Sequence, residues 1–244
     1  MIRILCVAAL LLALAGPVGA SEDVDLALVL VTDVSRSIDD AEYVLEKQGY
    51  ATAFTSQAVI NAIRGGMTGT IAVSYLEFAG DGEVRIVLDW TLIRDRQTAQ
   101  AFADRLAAAP RSFHGRTAIS SGIDQAVQAL VESGFNATRR VIDVCGDGTN
   151  NAGRDITAAR DDAVRAGITI NGLAIINDHP ASWTFAHVQP PGGLPNYYRE
   201  NVTGGPGSFV LEVHDFQSFG EAMTRKLVTE IATRPPASTL AGVR

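Results

Sequence analysis

The chain has 244 residues, of which 47% are apolar, and it carries a formal net charge of −7 at neutral pH. This length and apolar content are sufficient for one sizeable hydrophobic core and favour a single folded domain. The acidic balance, with a pI near 5.1, excludes a large basic surface of the kind that binds nucleic acid. We therefore expect no nucleic-acid partner.

The first twenty residues are typical of a signal peptide. Arg3 gives a positive start, Ile4 to Ala15 is an apolar stretch, and Val18-Gly19-Ala20 has the small residues of a cleavage site. A membrane-spanning helix needs about 20 apolar residues, and this stretch is shorter. We therefore expect an exported protein, periplasmic or extracellular, with no membrane span in the mature chain. The predicted domains are a signal peptide over 1–20, one folded domain over 21–233 and a flexible tail over 234–244.

One cysteine remains once the signal peptide is removed. Cys6 lies inside the leader, and Cys145 lies in the apolar segment that begins at Val141. The mature chain is therefore expected to form no intrachain disulfide. We expect Cys145 to be a small buried hydrophobic residue and not a nucleophile.

The hydrophobic pattern predicts strands that alternate with helices. The predicted strands cover residues 24–32, 70–78, 83–90, 139–145, 168–176 and 208–213. The predicted helices cover residues 38–64, 95–108, 118–131, 155–166 and 216–231, and Ser37 with Asp40 resembles a capping box for the first. The short turn at Gly80-Asp81-Gly82 makes the second and third strands an antiparallel hairpin. The predicted fold class is α/β, a doubly wound, mostly parallel six-stranded sheet with one antiparallel edge strand and helices on both faces.

Residues 177–207 are less regular and longer than a typical connection. Their many prolines and glycines indicate a surface excursion with one short helix. Two interpretations remain open for its aromatic residues Trp183, Tyr197 and Tyr198. They either shape a surface for a partner or belong to an ordinary covering loop.

A carboxylate and two hydroxyls follow the first buried strand. Asp33, Ser35 and Ser37 alternate along an extended segment, so their side chains point the same way. Carboxylate and hydroxyl oxygens are hard ligands that suit Mg²⁺, Mn²⁺ or Ca²⁺ better than zinc or copper. Thr117 and Asp147 are plausible additions. Asp147 follows another buried strand, and ligands of doubly wound sheets bind beyond the strands' carboxyl ends.

These segments resemble the metal-ion-dependent adhesion site (MIDAS) of the von Willebrand factor type A (VWA) domain. The resemblance extends over Val24 to Ile231 and is carried by three segments in the family's order, DxSxS at 33–37, GRTAI at 115–119 and CGDGT at 145–149. The predicted signal peptide indicates an exported, bacterial branch of that family. The branch is little characterised and consists of domains of unknown function. The fold that the resemblance implies is the Rossmann-like VWA fold.

The resemblance also implies roles for five residues. Ser35, Ser37 and Thr117 would be direct ligands of a divalent cation, with Mg²⁺ as the first choice and Mn²⁺ or Ca²⁺ as alternatives. Asp33 and Asp147 would hold coordinated waters and offset the charge of the ion. The remaining coordination position would take an Asp or Glu of a protein partner, so we expect a metal-dependent adhesion or assembly module and not an enzyme. In some relatives the last helix moves between affinity states, which here would be the helix predicted over 216–231.

Each site residue also has a purely structural interpretation. Ser37 and Thr117 would cap the helices that follow them, and Asp147 would form an Asx-turn. Arg116, beside Thr117, has two interpretations as well. It either clamps an incoming carboxylate in a bidentate pair or simply points to solvent.

A metal-dependent hydrolase, phosphatase-like or protease-like, is the alternative function. Asp33, His114 and a later glycine-rich loop follow the Asp, His, Ser order of subtilisin-like proteases. That loop, residues 146–150, has no serine to act as the nucleophile. For an aspartyl phosphatase, Ser35 stands where a second acid would be expected. A further alternative is a structural or assembly protein with a degenerate site, which the intact set of oxygen ligands disfavours.

Overall fold

The structure is a computed structural model that describes residues 21–176 and 190–233. The strands of this part of the chain are, in order, β1 (Asp23–Val24), β2 (Leu26–Asp33), β3 (Ile71–Phe78), β4 (Val84–Ile93), β5 (Asn136–Ala137), β6 (Arg140–Gly146), β7 (Thr169–Ile175) and β8 (Val210–Val213). The helices are α1 (Asp40–Thr55), α2 (Gln57–Arg64), α3 (Arg96–Ala108), α4 (Ile119–Glu132), α5 (Ile156–Arg165), α6 (Leu194–Tyr197) and α7 (Phe219–Ala232), and a π-helical turn covers Tyr198–Val202. Among the described residues, no helix is long and apolar enough to cross a membrane.

A six-stranded sheet forms the centre of the molecule, with the strand order β4-β3-β2-β6-β7-β8. β2 pairs in parallel with β3 on one side and with β6 on the other, and β7 and β8 continue the sheet in parallel. β4 pairs antiparallel with β3 at the edge. The predicted doubly wound sheet with one antiparallel edge strand is therefore confirmed. Because the chain winds outward from β2 in both directions, strand order reverses between β2 and β6, and a crevice is expected beyond their carboxyl ends.

Helices cover both faces of the sheet, which explains why all eight residues of β2 are buried. On one face, α1, α3 and α7 contribute aromatic residues, including Tyr50, Phe102 and Phe219. The rings of Tyr50 and Phe219 meet edge to face with their centroids 5.2 Å apart. On the other face, α4 and α5 pack with the segment that contains Tyr198. Cys145 is fully buried with a free thiol, as the sequence predicted.

The predicted helix over residues 38–64 is wrong in one respect, because the structure divides it into α1 and α2. Ser56 interrupts it with an extended backbone (ψ 145°), and its hydroxyl accepts a hydrogen bond from the backbone N–H of Val59 to begin α2. The predicted capping box of Ser37 and Asp40 is also wrong. Asp39 and Glu42 form the capping box of α1, and the Ser37 hydroxyl instead bonds with Ser35 Oγ and donates to Asp147 Oδ1.

The second half of the predicted surface excursion is partly buried. α6 and the π-helical turn pack on the sheet, and Tyr198 is fully buried there. Of the two interpretations left open for Tyr198, its burial therefore favours the covering segment over an exposed partner surface. A side chain at Gly172 of β7 would lie 2.7 Å from the Tyr198 ring, so β7 accepts this ring only because it has a glycine there. The predicted signal peptide, the predicted tail and Trp183 lie outside the described residues.

Candidate metal site

Three loops meet beyond the carboxyl ends of β2 and β6. The first follows β2, the second precedes α4, and the third follows β6. Backbone hydrogen bonds tie the first two together, since the Arg36 N–H donates to the Gly115 carbonyl at 3.0 Å. The Ala118 N–H donates to the Ala79 carbonyl at 2.7 Å, which fixes the second loop to the end of β3. The loops are therefore held at the point of strand-order reversal.

The structure brings all five predicted ligands into one hydrogen-bonded group, the metal-site cluster of Asp33, Ser35, Ser37, Thr117 and Asp147. Ser35 Oγ lies 3.0 Å from Ser37 Oγ, and Thr117 Oγ1 donates to Ser35 Oγ at 3.2 Å. Ser37 Oγ donates to Asp147 Oδ1 at 2.9 Å. Asp33 Oδ1 accepts from the backbone N–H of Ser35 at 2.7 Å. Every member is buried, with at most 8% of the residue exposed.

The donor set fits a hard divalent cation. The cluster contains two carboxylates and three hydroxyls, and oxygen ligands are those that Mg²⁺, Mn²⁺ and Ca²⁺ prefer. Each hydroxyl now bonds to another member of the cluster, and the same oxygens would turn their lone pairs to an ion. Within residues 21–176 and 190–233, no group of three or more His, Cys, Asp or Glu residues is arranged to hold a metal ion.

The hydroxyls of Ser37 and Thr117 do not cap the helices that follow them, which was their structural interpretation. Asp39 caps α1 in place of Ser37. α4 begins at Ala118 as its N-cap residue without a side-chain capping bond, so Thr117 does not cap it. Both hydroxyls instead bond inside the metal-site cluster.

Asn151 supports the position of Thr117 and was missed by sequence reasoning. Its Oδ1 accepts from the Thr117 N–H at 3.0 Å and from Arg116 Nε at 3.3 Å, and its own N–H donates to the Thr117 carbonyl at 2.8 Å. Asn150, its neighbour, accepts from the Ser120 N–H at 3.0 Å instead. Arg116 is exposed beside the site. The turn residues that follow Asp147 were the sequence signal that could have indicated a loop supporting Thr117.

Glu46 of α1 lies beneath the site and was also missed by sequence reasoning, because it occupies an ordinary helical position. It is fully buried. Burial raises its pKa well above the ordinary range, the neighbouring Cys145 thiol opposes this, and the negative charges of Asp33 and Asp147 raise the pKa further. The neutral acid is therefore favoured, which limits the negative charge that gathers under the cluster.

Gly146 makes room for the cluster at the end of β6. A Cβ atom there would lie 2.9 Å from Asp33 Cβ and 2.9 Å from the Tyr198 hydroxyl. The backbone of β6 can therefore approach Asp33 only without a side chain at this position.

Comparison with known proteins gives one family and several similar folds. The family model of a protein of unknown function (DUF1194) matches residues 23–235. No curated protein matches the chain. Among solved structures, proximal thread matrix protein 1 (PTMP1) from the mussel byssus, in a form with a zinc-occupied MIDAS motif, superposes with a TM-score of 0.62 at 16% identity, covering 87% of this chain and 49% of that one. This chain thus spans about half the length of the mussel protein.

Two bacterial structures give the same fold. A von Willebrand factor type A protein from Catenulispora acidiphila superposes with a TM-score of 0.58 at 15% identity, over 86% of this chain and 43% of that one. The pilus adhesin SpaC from Lactobacillus rhamnosus GG gives a TM-score of 0.56 at 14% identity, over 86% of this chain and 31% of that one. These similarities establish the fold, and the family model covers nearly the whole described domain. The chain belongs to the DUF1194 family of proteins of unknown function, and its fold is that of a VWA domain.

Proposed function

We propose that this protein is an exported, metal-dependent protein-binding module that engages a partner carboxylate through a divalent cation. The observation that carries the proposal is the metal-site cluster itself. Three hydroxyls and the Asp147 carboxylate are joined by side-chain hydrogen bonds of 2.9–3.2 Å, and the Asp33 carboxylate accepts from the Ser35 N–H at 2.7 Å. They lie at the strand-order reversal, where α/β sheets of this type bind their ligands.

The residues divide into two roles. Ser35, Ser37 and Thr117 would bind the ion directly through their hydroxyl oxygens, and Asp33 and Asp147 would hold its water ligands and offset its charge. The ion would be Mg²⁺, with Mn²⁺ and Ca²⁺ as alternatives, because the cluster is built of hard oxygen ligands. When bound, the cation supplies an electrophilic position for an Asp or Glu side chain of the partner.

We propose that Arg116 assists in binding such a carboxylate. Its side chain is exposed, and Asn151, which also accepts from the Thr117 N–H, holds its Nε at 3.3 Å. A guanidinium next to the site can donate two parallel hydrogen bonds to a carboxylate. This arrangement supports a role in partner binding.

The surroundings of the hydroxyls favour binding over hydrolysis. A serine nucleophile needs an adjacent general base. In the described ranges, no histidine donates to or accepts from Ser35, Ser37 or Thr117, whose side-chain partners are one another and Asp147. His114, which suggested a protease, is exposed.

Export and adhesion are supported from two directions. The first twenty residues have the composition of a signal peptide. PTMP1 belongs to the byssus and SpaC is a pilus adhesin, so two proteins with this fold act outside the cell. For this chain we infer a periplasmic or extracellular location and a role in adhesion or assembly.

Metal-dependent thermal stability tests the proposal directly. For the wild-type protein stripped with EDTA, we expect added Mg²⁺ to raise the unfolding free energy by about 2.7 kcal/mol at a concentration 100 times the Kd. Asp147→Ala is expected to abolish this gain while the apo protein remains folded. Differential scanning calorimetry of both proteins, with and without Mg²⁺, measures the effect.

Asp155→Ala is the matched control for Asp147→Ala. Asp155 lies in the same stretch after β6 but caps α5, where its Oδ1 accepts from the Ala158 N–H at 2.8 Å. Its loss should lower stability by about 1 kcal/mol and leave the Mg²⁺ gain intact. A wild-type protein that no divalent cation stabilises would refute the proposal. Turnover of generic phosphate or ester substrates that disappears in Asp33→Asn would establish a hydrolase instead.

A further inference from the structure

Arg111 lies in the loop after α3, and its side chain is only 7% exposed. Its guanidinium group points at the loop that carries Ser35 and Ser37. Nη2 lies within hydrogen-bond distance of three backbone carbonyl oxygens, those of Val34 (3.0 Å), Ser35 (2.9 Å) and Ile38 (2.8 Å). One buried cation therefore binds the backbone of the first metal-site loop from inside the protein.

The rest of the guanidinium is also engaged. Nε donates to the Phe113 carbonyl at 3.0 Å, which curls the loop that leads toward Thr117. Nη1 pairs with Asp40 Oδ1 at 3.2 Å, and the guanidinium carbon lies 5.5 Å from the centre of the Tyr43 ring. Arg111 thus connects the first loop, the start of α1 and the second loop.

The chain has left the sheet at Asp33, and a backbone carbonyl buried without a hydrogen bond is costly. The Ser35 carbonyl already accepts from the Ile38 N–H at 3.1 Å, so Arg111 adds a second donor there and supplies a donor to the Val34 and Ile38 carbonyls. A guanidinium supplies several donors in one rigid plane, whereas an ammonium is a mobile point charge. Because the carbonyls of Val34 and Ser35 belong to the DxSxS segment, fixing their peptide planes constrains the backbone that carries the Ser35 hydroxyl and leads to Ser37.

Arg111 is itself anchored to the sheet. The N–H of the next residue, Ser112, donates to Glu77 Oε2 at 2.8 Å. Glu77 is fully buried on β3, and its Oε1 accepts from the Tyr43 hydroxyl at 2.8 Å. The loop that carries the guanidinium is therefore fixed before it contacts the metal-site loop.

We propose that Arg111 is the positioning residue of the metal site and that it makes the site selective for a small, geometrically demanding cation. The inference depends on the proposed metal site. Mg²⁺ requires near-octahedral oxygens at about 2.0–2.1 Å, whereas Ca²⁺ tolerates varied geometry at about 2.3–2.6 Å. A loop held rigidly by Arg111 keeps the Ser35, Ser37 and Thr117 oxygens close enough for Mg²⁺. A loosened loop would still suit Ca²⁺.

The test compares two variants. Arg111→Lys keeps the positive charge and loses the planar set of guanidinium donors, and Arg111→Met loses both the charge and the donors. Isothermal titration with Mg²⁺ and with Ca²⁺ alone gives the two Kd values, and melting in EDTA gives the apo stability. We expect the Kd for Mg²⁺ to rise about 10- to 100-fold in both variants, the usual effect of removing a group that orients metal ligands. The Kd for Ca²⁺ should rise less, so the preference for Mg²⁺ falls.

Arg139→Lys is the matched control, because Arg139 is a second partly buried arginine that donates to backbone carbonyls. Its Nη2 binds the carbonyls of Glu230 (2.6 Å) and Ile231 (3.2 Å) near the end of α7. Since Arg139 precedes β6 and the metal site follows that strand, this contact lies at the opposite end of the sheet. Arg139→Lys should lower the apo melting temperature and leave the Kd for Mg²⁺ unchanged.

Three results would overturn the inference. A lower apo melting temperature with an unchanged Kd for Mg²⁺ would make Arg111 purely structural. An equal loss of both cations would show that Arg111 supports the site without selecting between the ions. Tighter Mg²⁺ binding by Arg111→Met would show that its charge acts on the ion and that its geometry does not. If neither Arg111 variant folds, Asp40→Asn tests the inference in their place. This variant removes only the charged partner of Nη1, and it should fold because the Asp40 side chain is 91% exposed. It should weaken Mg²⁺ binding by about two- to fivefold and leave Ca²⁺ binding unchanged, and an unchanged Kd for Mg²⁺ refutes the role. A wild-type protein that binds neither cation would instead refute the proposed function.

Discussion

Two buried polar clusters in this protein resemble each other in burial and differ in charge balance. The metal-site cluster lies beyond the ends of β2 and β6 and consists of two carboxylates and three hydroxyls. The second, which we call the α7 cluster, lies between the sheet and α7. Its members are Asp143, Asn171, Lys226 and Glu230, each at most 3% exposed.

The α7 cluster contains its own cation. Lys226 Nζ lies 2.5 Å from both Asp143 Oδ1 and Glu230 Oε1. Asn171, opposite Asp143 on the neighbouring strand, donates to Glu230 Oε1 at 2.8 Å. Burial alone would lower the pKa of Lys226, but the charges of Asp143 and Glu230 outweigh it and raise that pKa. A buried charge is tolerated when it is paired, and here both partners come from the protein.

The difference distinguishes a structural cluster from the proposed binding site. The α7 cluster holds a helix against the sheet with ion pairs whose cation, Lys226, is supplied by the protein itself. The metal-site cluster supplies carboxylates and hydroxyls, and the proposed function brings its cation from solution. We therefore expect α7-cluster substitutions to change stability equally with and without metal, and metal-site substitutions to change chiefly the response to metal.

Lys226→Met should have the largest effect. It leaves two buried carboxyl groups without their cation, and removal of one partner of a buried ion pair costs about 3–5 kcal/mol. Urea unfolding should show this loss equally in EDTA and in Mg²⁺. Arg225→Met is the control, because Arg225 pairs only on the surface with Glu221 and its side chain is 57% exposed. A loss for Lys226→Met that Mg²⁺ restores would contradict the separation of the two clusters.

The pH dependence of stability should also separate the clusters. Burial raises the pKa of Asp143 from 3.8 to about 7, the charge of Glu230 adds to this, and Lys226 opposes it. The folded state therefore holds a proton that the unfolded state releases, so the stabilisation is complete below pH 4 and is lost as the pH rises to about 7.

Asp143→Asn removes this proton and keeps the shape of the side chain. Relative to the wild type, the unfolding free energy of Asp143→Asn should increase between pH 4 and pH 7. The increase should exceed about 1.4 kcal/mol, the free energy of one pKa unit. Urea titrations at several pH values in EDTA measure it. A difference between the two proteins that stays constant over this range would show that Asp143 does not titrate there.

The two clusters also differ in how far the sequence predicts them. The metal-site residues follow buried strands in a short pattern, so Asp33, Ser35 and Ser37 are recognisable from local spacing alone. Strand ends meet at one edge of a parallel sheet, which brings Asp147 to them. The fold was also predictable from local sequence pattern, since buried strands and amphipathic helices alternate along the chain.

The α7 cluster gives no such signal. Asp143 interrupts an apolar strand and Lys226 lies on an amphipathic helix, and only the tertiary packing of α7 shows that they meet. Glu46 and Arg111 were missed for the same physical reason, because their environments come from distant segments. The first helix is divided at Ser56 by a change in the backbone of that one residue. The residues on both sides of Ser56 have a helical pattern, so the sequence did not reveal the division.

The smallest of the three effects that compare the two clusters concerns the support of the metal-site cluster. Asn151→Ala removes the acceptor of the Thr117 N–H, so the Thr117 hydroxyl should lose its fixed direction. We expect the Kd for Mg²⁺ to rise about tenfold, the lower end for a residue that orients a metal ligand, with little change in apo stability. Asn150→Ala, in the same loop, is the control because its side chain accepts from the Ser120 N–H and not from Thr117. Titration calorimetry on both variants measures the Kd. An equal weakening by Asn150→Ala would show that the loop acts as a whole and that Thr117 has no support of its own.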